Sequence, residues 1–191
     1  RRLLFGLRTI GATTPMAAPS FALTKIQPPR PRTSLVARPS LEDRMAAAAA
    51  TKRLVLLAAP AGFGKTAALT RQLAALPAST AVAWVACDAD DDLVRFAACL
   101  VAALDPYDLP WRTSPDALAP LLAGGEAQQR AATAELVNAL AATEVARGLI
   151  VIDDAHRIAD PAVYAGLDLL VERLPPHWGV VVSTRVDPPL A

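Results

Sequence analysis

The stretch Ala59–Leu69 reads APAGFGKTAAL. It departs at one position from the phosphate-binding pattern G-x-x-x-x-G-K-[ST], because Ala59 stands where the first glycine belongs. Such a turn either holds phosphate or is a flexible connection before a helix, and its flanks decide which. Before it, Arg53–Pro60 (RLVLLAAP) is a continuous apolar run, as expected of a strand buried on both faces. After it, Leu69, Leu73 and Leu76 recur on one helical face that stops before Pro77. Strand, glycine-bearing turn and helix, in that order, form the context in which the motif binds phosphate.

The same alternation continues outward. Ala81–Asp88 (AVAWVACD), Gly148–His156 (GLIVIDDAH) and Trp178–Arg185 (WGVVVSTR) read as three more buried strands. Leu93, Phe96, Ala97, Leu100, Val101 and Leu104 repeat with helical spacing, and residues 126–147 read as an Ala-rich helix. Asp160-Pro161 opens a helix with Val163, Leu167, Leu170 and Leu174 on one face, closed by Pro175-Pro176. Ser40 is the expected cap of a short helix over Leu41–Ala50, and residues 105–125 read as an irregular insertion. Four strand–helix alternations predict an α/β fold, a doubly wound parallel sheet in a three-layer α/β/α sandwich. Ligands in such sheets sit at the carboxyl ends of the strands. The polar clusters Gly62–Thr66, Asp88, Asp153-Asp154 and Ser183–Arg185 all fall there.

The chemistry follows from those clusters. Backbone N–H groups of a P-loop turn inward to make an anion nest, reinforced by the positive end of the following helix. Ala61, Gly62, Phe63, Gly64, Lys65, Thr66 and Ala67 are therefore the expected nucleotide contacts. Lys65 is read as a solvent-facing lysine that reaches the β- and γ-phosphates, and Thr66 as a hydroxyl for Mg²⁺. Ala59 is acceptable where it keeps φ negative and only ends the strand. Asp153 ends a buried strand expected beside the P-loop strand, and is the second Mg²⁺ residue. Asp154 is the candidate catalytic group that polarises the attacking water, against the alternative that it caps the following loop. Arg185 is a candidate sensor of the γ-phosphate. His156 reads as a loop or core hydrogen-bonder. Asp88, Asp90, Asp91 and Asp92 resemble a metal cluster but are better explained as caps of the next helix. Trp84 and Phe96 read as core. GTPases read guanine with Asn-Lys-x-Asp. The only asparagine, Asn138, is followed by Ala139-Leu140, so ATP/ADP is the expected ligand.

Composition bounds the class. Hydrophobic residues are 53% of the 191, enough for a large core. Mean hydropathy is +0.33, raised largely by alanine, and no run reaches the roughly 18 apolar residues that span a bilayer. The net charge of +1 is unevenly placed. Residues 1–53 hold ten Arg/Lys against Glu42 and Asp43, and the remainder nine against sixteen acids. The basic front is read as a solvated tail rather than a nucleic-acid-binding arm. Residues 1–34 form a Pro-rich tail carrying QPPRPR, and residues 35–191 the nucleotide-binding domain. Residues 1–40 hold no acid and resemble a transit peptide, but Met16 offers an internal start, and residues 1–15 are read as upstream or ragged sequence. Cys87 and Cys99 lack metal spacing and lie in apolar runs, which fits buried thiols in a reducing, cytoplasmic setting.

Five blocks in order, TKIQPPRPRTSLVARPSLEDRM, LLAAPAGFGKTAAL, VAWVACDADDDLVRFAACLVAAL, GLIVIDDAHRI and VVVSTRVDPPL, resemble the N-terminal ATPase of the large MalT-like, LuxR-family transcription regulators. These belong to the STAND class of signalling ATPases, related to AAA+ and NB-ARC proteins, and the similarity covers residues 24–190. The resemblance implies an ATP-driven switch, closed with ADP and self-associating with ATP and an inducer. It nominates Val36, Ala37 and Arg38 as adenine contacts. Family members continue past DPPL into a further strand, a helical lid, a winged helix, a sensor array and a DNA-binding helix-turn-helix. The expected domain therefore lacks its last strand and lid, and DNA would be contacted only through that absent region. The rival readings are a P-loop small-molecule kinase, which should carry a lid with clustered arginines, and a non-catalytic remnant.

Overall fold

The computed structural model describes residues 21–30 and 37–190. Four parallel strands, β1 (Leu54–Ala58), β2 (Thr80–Ala86), β3 (Arg147–Asp153) and β4 (Trp178–Thr184), form one sheet in the order β1-β4-β3-β2. The order corrects one expectation. β3 does not lie beside β1, because β4 is inserted between them, pairing Ala58 with Thr184 on one side and Ile152 with Val182 on the other. Apolar strand runs carry no information on which neighbours pair, so the order was not readable from them.

Helices cover both faces. α1 (Pro39–Thr51) and α2 (Lys65–Ala74) lie on one, where Met45, Ala49 and Leu69 pack on Trp84, Leu149, Val151 and Val181. α3 (Leu93–Leu104), α4 (Leu118–Leu122), α5 (Glu126–Ala141) and α6 (Pro161–Arg173) lie on the other, over Ala83, Val85, Ile150, Ile152, Val180 and Val182. Successive strand residues thus serve opposite layers, which is why the strands read as unbroken apolar runs. The connection from β1 to β2 crosses one face and the later connections return across the other, as right-handed crossovers require. Trp84, Phe96, Cys87 and Cys99 are buried. Burial pushes both thiols up, Cys99 to about 11, so neither is a reactive thiolate.

Local corrections have local causes. α1 begins at Pro39, with Arg38 in the cap position and its N–H bound by Glu42 Oε1 at 3.0 Å, so Ser40 lies inside the helix. α5 ends at Ala141, where the Thr143 hydroxyl takes the Leu140 carbonyl at 2.7 Å. The insertion holds α4 flanked by short 3₁₀ turns. The Tyr107 hydroxyl accepts from the Val82 N–H at 2.7 Å and donates to its carbonyl at 2.9 Å, occupying one backbone pair on the outer edge of β2. The outer edge of β1 pairs with no strand among the described residues, and Leu56 there is 42% exposed.

Residues 21–26, assigned by composition to the tail, pack on the body. Leu23–Ile26 is a 3₁₀ turn, Phe21 joins the core, and the buried Lys25 ammonium lies 2.7 Å from both Asp88 Oδ2 and Asp91 Oδ2. Burial alone would lower the Lys25 pKa, but its hydrogen bonds to the two carboxylates leave it raised. Asp88 is held below its usual value, the Lys25 and Asp90 hydrogen bonds outweighing burial. Lys25→Met removes the nearest cation from the Asp91 carboxylate, 1% exposed, which keeps only the Asp88 N–H at 2.8 Å and Arg95 Nε at 3.5 Å. The expected cost is about 3 kcal/mol, read as a lower urea midpoint. The double replacement Lys25→Met/Asp91→Leu should recover most of it, and an unshifted midpoint in the single variant would refute the tether.

Candidate functional site

The P-loop sits at the carboxyl end of β1 and runs into α2. Gly62 and Gly64 have φ of +81° and +76°, which glycine alone adopts freely. Beyond their chain neighbours, no heavy atom lies within 4 Å of where a Cβ would stand at either, so conformation rather than crowding demands glycine. Ala59 donates its N–H to the Thr184 carbonyl at 3.2 Å and is absent from the left-handed residues, so it continues the β1–β4 ladder without strain. Lys65 departs from its expected exposure. It is 8% exposed, and its ammonium donates to the Ala59 carbonyl at 2.7 Å and the Pro60 carbonyl at 3.2 Å. The cation is folded over the loop at the place where phosphate oxygens would replace those carbonyls.

The two candidate metal residues meet across the sheet. Thr66 Oγ1, in the first turn of α2, donates to Asp153 Oδ2 at 2.9 Å, although β4 separates β3 from the strand that leads into α2. Asp153 is 4% exposed, and its other oxygen accepts a short hydrogen bond from the Ser183 hydroxyl of β4. Ser183 Oγ also accepts the Asp154 N–H at 3.1 Å. One hydroxyl and one carboxylate are hard oxygen donors of the kind Mg²⁺ uses, in the small number it takes when phosphates and waters supply the rest. The residues present therefore fit ATP·Mg²⁺.

Asp154 has φ +56° and ψ +37°, an uncommon backbone for a residue with a side chain, and opens the 3₁₀ turn Ala155–Arg157. Its carboxylate makes no capping hydrogen bond to that turn. His156 Nδ1 lies 3.9 Å from Asp154 Oδ1 and is buried without a hydrogen bond among the described residues, so the expected loop hydrogen bond is not made. Burial lowers the His156 pKa, with Arg185, Lys65 and Arg157 adding to it and Asp154 opposing. The imidazole is neutral at pH 7.

Arg185 follows β4, is exposed, and makes no hydrogen bond or ion pair with the described residues. Arg38 Nη1 donates to the Phe63 carbonyl at 3.3 Å, tying the predicted adenine side to the loop. Ala37 and Ala61 are exposed, Phe63 is 56% exposed, Ala67 is half-buried, and Val36 lies outside the described residues. The acidic run divides: Asp92 caps α3 by accepting the Arg95 N–H at 2.7 Å, whereas Asp88 and Asp91 hold Lys25. No group of three or more metal-ligating side chains occurs among the described residues. A 330 Å³ apolar cavity between α3 and α4 shares no residue with this site. Ser183, read in the sequence only as part of the polar cluster Ser183–Arg185 and given no role there, lies against both acids. Its signal in the sequence was the first polar residue after a valine run, and its place opposite Asp153 follows from the β3–β4 register.

Comparisons with known proteins agree with this geometry. A family model for an AAA domain matches residues 48–175. The serine/threonine-protein kinase PknK of Mycobacterium tuberculosis is 30% identical over 179 residues, 92% of this chain and 16% of that protein. The HTH-type transcriptional regulator MalT of Cronobacter sakazakii is 30% identical over 146 residues, 74% of this chain and 15% of that protein. The chain thus spans about a sixth of the curated relatives it matches. A Walker-type ATPase of Pyrococcus abyssi superposes with a TM-score of 0.55 at 14% identity, over 85% of this chain and 49% of that one, a likeness of fold. No helix among the described residues is long and apolar enough to cross a membrane. The loop, the sheet and the family match converge, and the chain belongs to the AAA domain family of P-loop proteins.

Proposed function

We propose that the chain is the ATP·Mg²⁺-binding switch module of a STAND-type signalling ATPase, and that it turns ATP over slowly. The observation that carries this reading is the convergence of Thr66 and Asp153 at 2.9 Å beside a lysine parked on the P-loop carbonyls. Loop N–H groups and the α2 terminus hold the phosphate charge, and Lys65 exchanges its carbonyl partners for phosphate oxygens. Mg²⁺, when bound, neutralises charge developing between the β- and γ-phosphates. Thr66 and Asp153 orient it, Asp154 turns the attacking water, and Arg185 extends toward the γ-phosphate end. Arg38 and Ala37 flank the adenine.

Of the two relatives, one is named as a serine/threonine-protein kinase and the other as an HTH-type transcriptional regulator, and the matched segment is common to both. That supports a shared switch rather than either output. Self-association in the ATP state, and DNA contact through a separate region, belong in this proposal to the larger protein, which we place in the cytoplasm.

Competition against a fluorescent ADP with Mg²⁺ tests the reading. ATP and ADP should displace the label, and GTP should fail at the same concentration, because no Asn-Lys-x-Asp motif is present. Equal displacement by GTP would overturn the adenine assignment, and failure of all three would overturn the nucleotide site.

A further inference from the structure

We propose that Ser183 is a positioning residue that fixes both acids of the site through a single hydroxyl. The inference rests on the ATP·Mg²⁺ reading above. Ser183 is fully buried in a strand whose preceding residues are Val180, Val181 and Val182. The β3–β4 register pairs Ile152 with Val182, which brings Ser183 opposite Asp153. By strand alternation both residues share a face with Val151 and Val181, the face that carries α2 and therefore Thr66.

A serine hydroxyl has one proton and two acceptor sites. A carboxylate only accepts, so the proton goes to Asp153 Oδ1, and a lone pair takes the Asp154 N–H at 3.1 Å. Asp153 Oδ2 is held separately by Thr66 at 2.9 Å. Its carboxylate is thus held at both oxygens, from β4 and from α2, and the Ser183 hydrogen bond still holds it when Thr66 turns its oxygen to a metal. The second bond anchors the peptide that enters Asp154, whose left-handed backbone sets where its carboxylate points. Ser183 touches neither nucleotide nor metal in this arrangement; it acts through Asp153 and Asp154.

The test is a double-mutant cycle on the full chain, read by calorimetry with ATP in excess Mg²⁺ and in EDTA. The gain in ATP affinity on adding Mg²⁺ is the measured quantity. Ser183→Ala should cut that gain by about tenfold, in line with losses on removing groups that orient metal ligands. Affinity in EDTA should stay within about twofold, since the loop and Lys65 are untouched. In an Asp153→Ala background the same replacement should have no further effect, and Ser183→Thr, which keeps the hydroxyl, should restore most of the gain. An unchanged Mg²⁺ gain in Ser183→Ala overturns the proposal. So does an equal loss with and without Asp153, which marks a merely structural residue. If the parent chain itself gains nothing from Mg²⁺, the ATP·Mg²⁺ reading falls and this inference with it.

Discussion

Lys65→Ala should abolish measurable ATP·Mg²⁺ binding while leaving the domain folded. Its ammonium donates to two carbonyls of the loop, at 2.7 and 3.2 Å, and no carboxylate of the described residues neutralises it. Exchanging those carbonyls for phosphate oxygens creates charge-assisted hydrogen bonds of about 1.5–3 kcal/mol each. Losing two of them costs at least about a hundredfold in affinity. Folding is spared because the released carbonyls belong to the half-buried Ala59 and the exposed Pro60, where water can replace the lysine. Titration calorimetry with a parallel melting curve checks both halves. Unchanged affinity would end the phosphate-binding account, and a collapsed melting curve would reassign Lys65 to structure.

The second large effect separates the two acids. Asp153→Ala removes the carboxylate bound to Thr66 and should weaken Mg²⁺-dependent binding. At position 154 asparagine is the cleaner replacement, because φ of +56° suits Asn better than Ala. Asp154→Asn should keep ATP bound but slow its conversion by about 10²–10⁴-fold, the usual loss when a proton-handling group is removed. The readout is the ATP-to-ADP ratio on the protein after long incubation. Conversion at the parent rate would reduce Asp154 to a turn residue. Undiminished Mg²⁺-dependent binding in Asp153→Ala would withdraw the metal assignment from β3.

The elements that carry their own local chemistry were legible in the chain. The glycine turn between apolar strand and amphipathic helix placed the P-loop, and Leu93–Leu104 and the Asp160-Pro161 helix start agree with the structure. What escaped was relational. The insertion of β4 between β1 and β3 depends on which apolar faces meet, and four similar apolar runs do not encode it. Lys25 looked like one more cation of a basic tail, and only folding brings it to Asp88 and Asp91, over sixty positions away. Lys65, the first residue of α2, was read as facing solvent, but its ammonium turns back onto the nearest carbonyls of the loop. Ser183 was visible as a polar residue at a strand end, but its partners follow from register, which a single sequence does not state.

The two edges of the sheet differ in how they can react with another molecule. At β2 the Tyr107 hydroxyl already occupies both backbone groups of Val82, whereas β1 leaves its outer groups and Leu56 open. Propagation of strand-to-strand association needs two reactive ends on every molecule. Among the described residues one backbone pair of β2 is already taken and none of the outer β1 edge is paired with a strand, so β1 is the less hindered end for pairing with another strand. In polymer terms the two ends of the sheet have unequal reactivity, with β1 the more reactive.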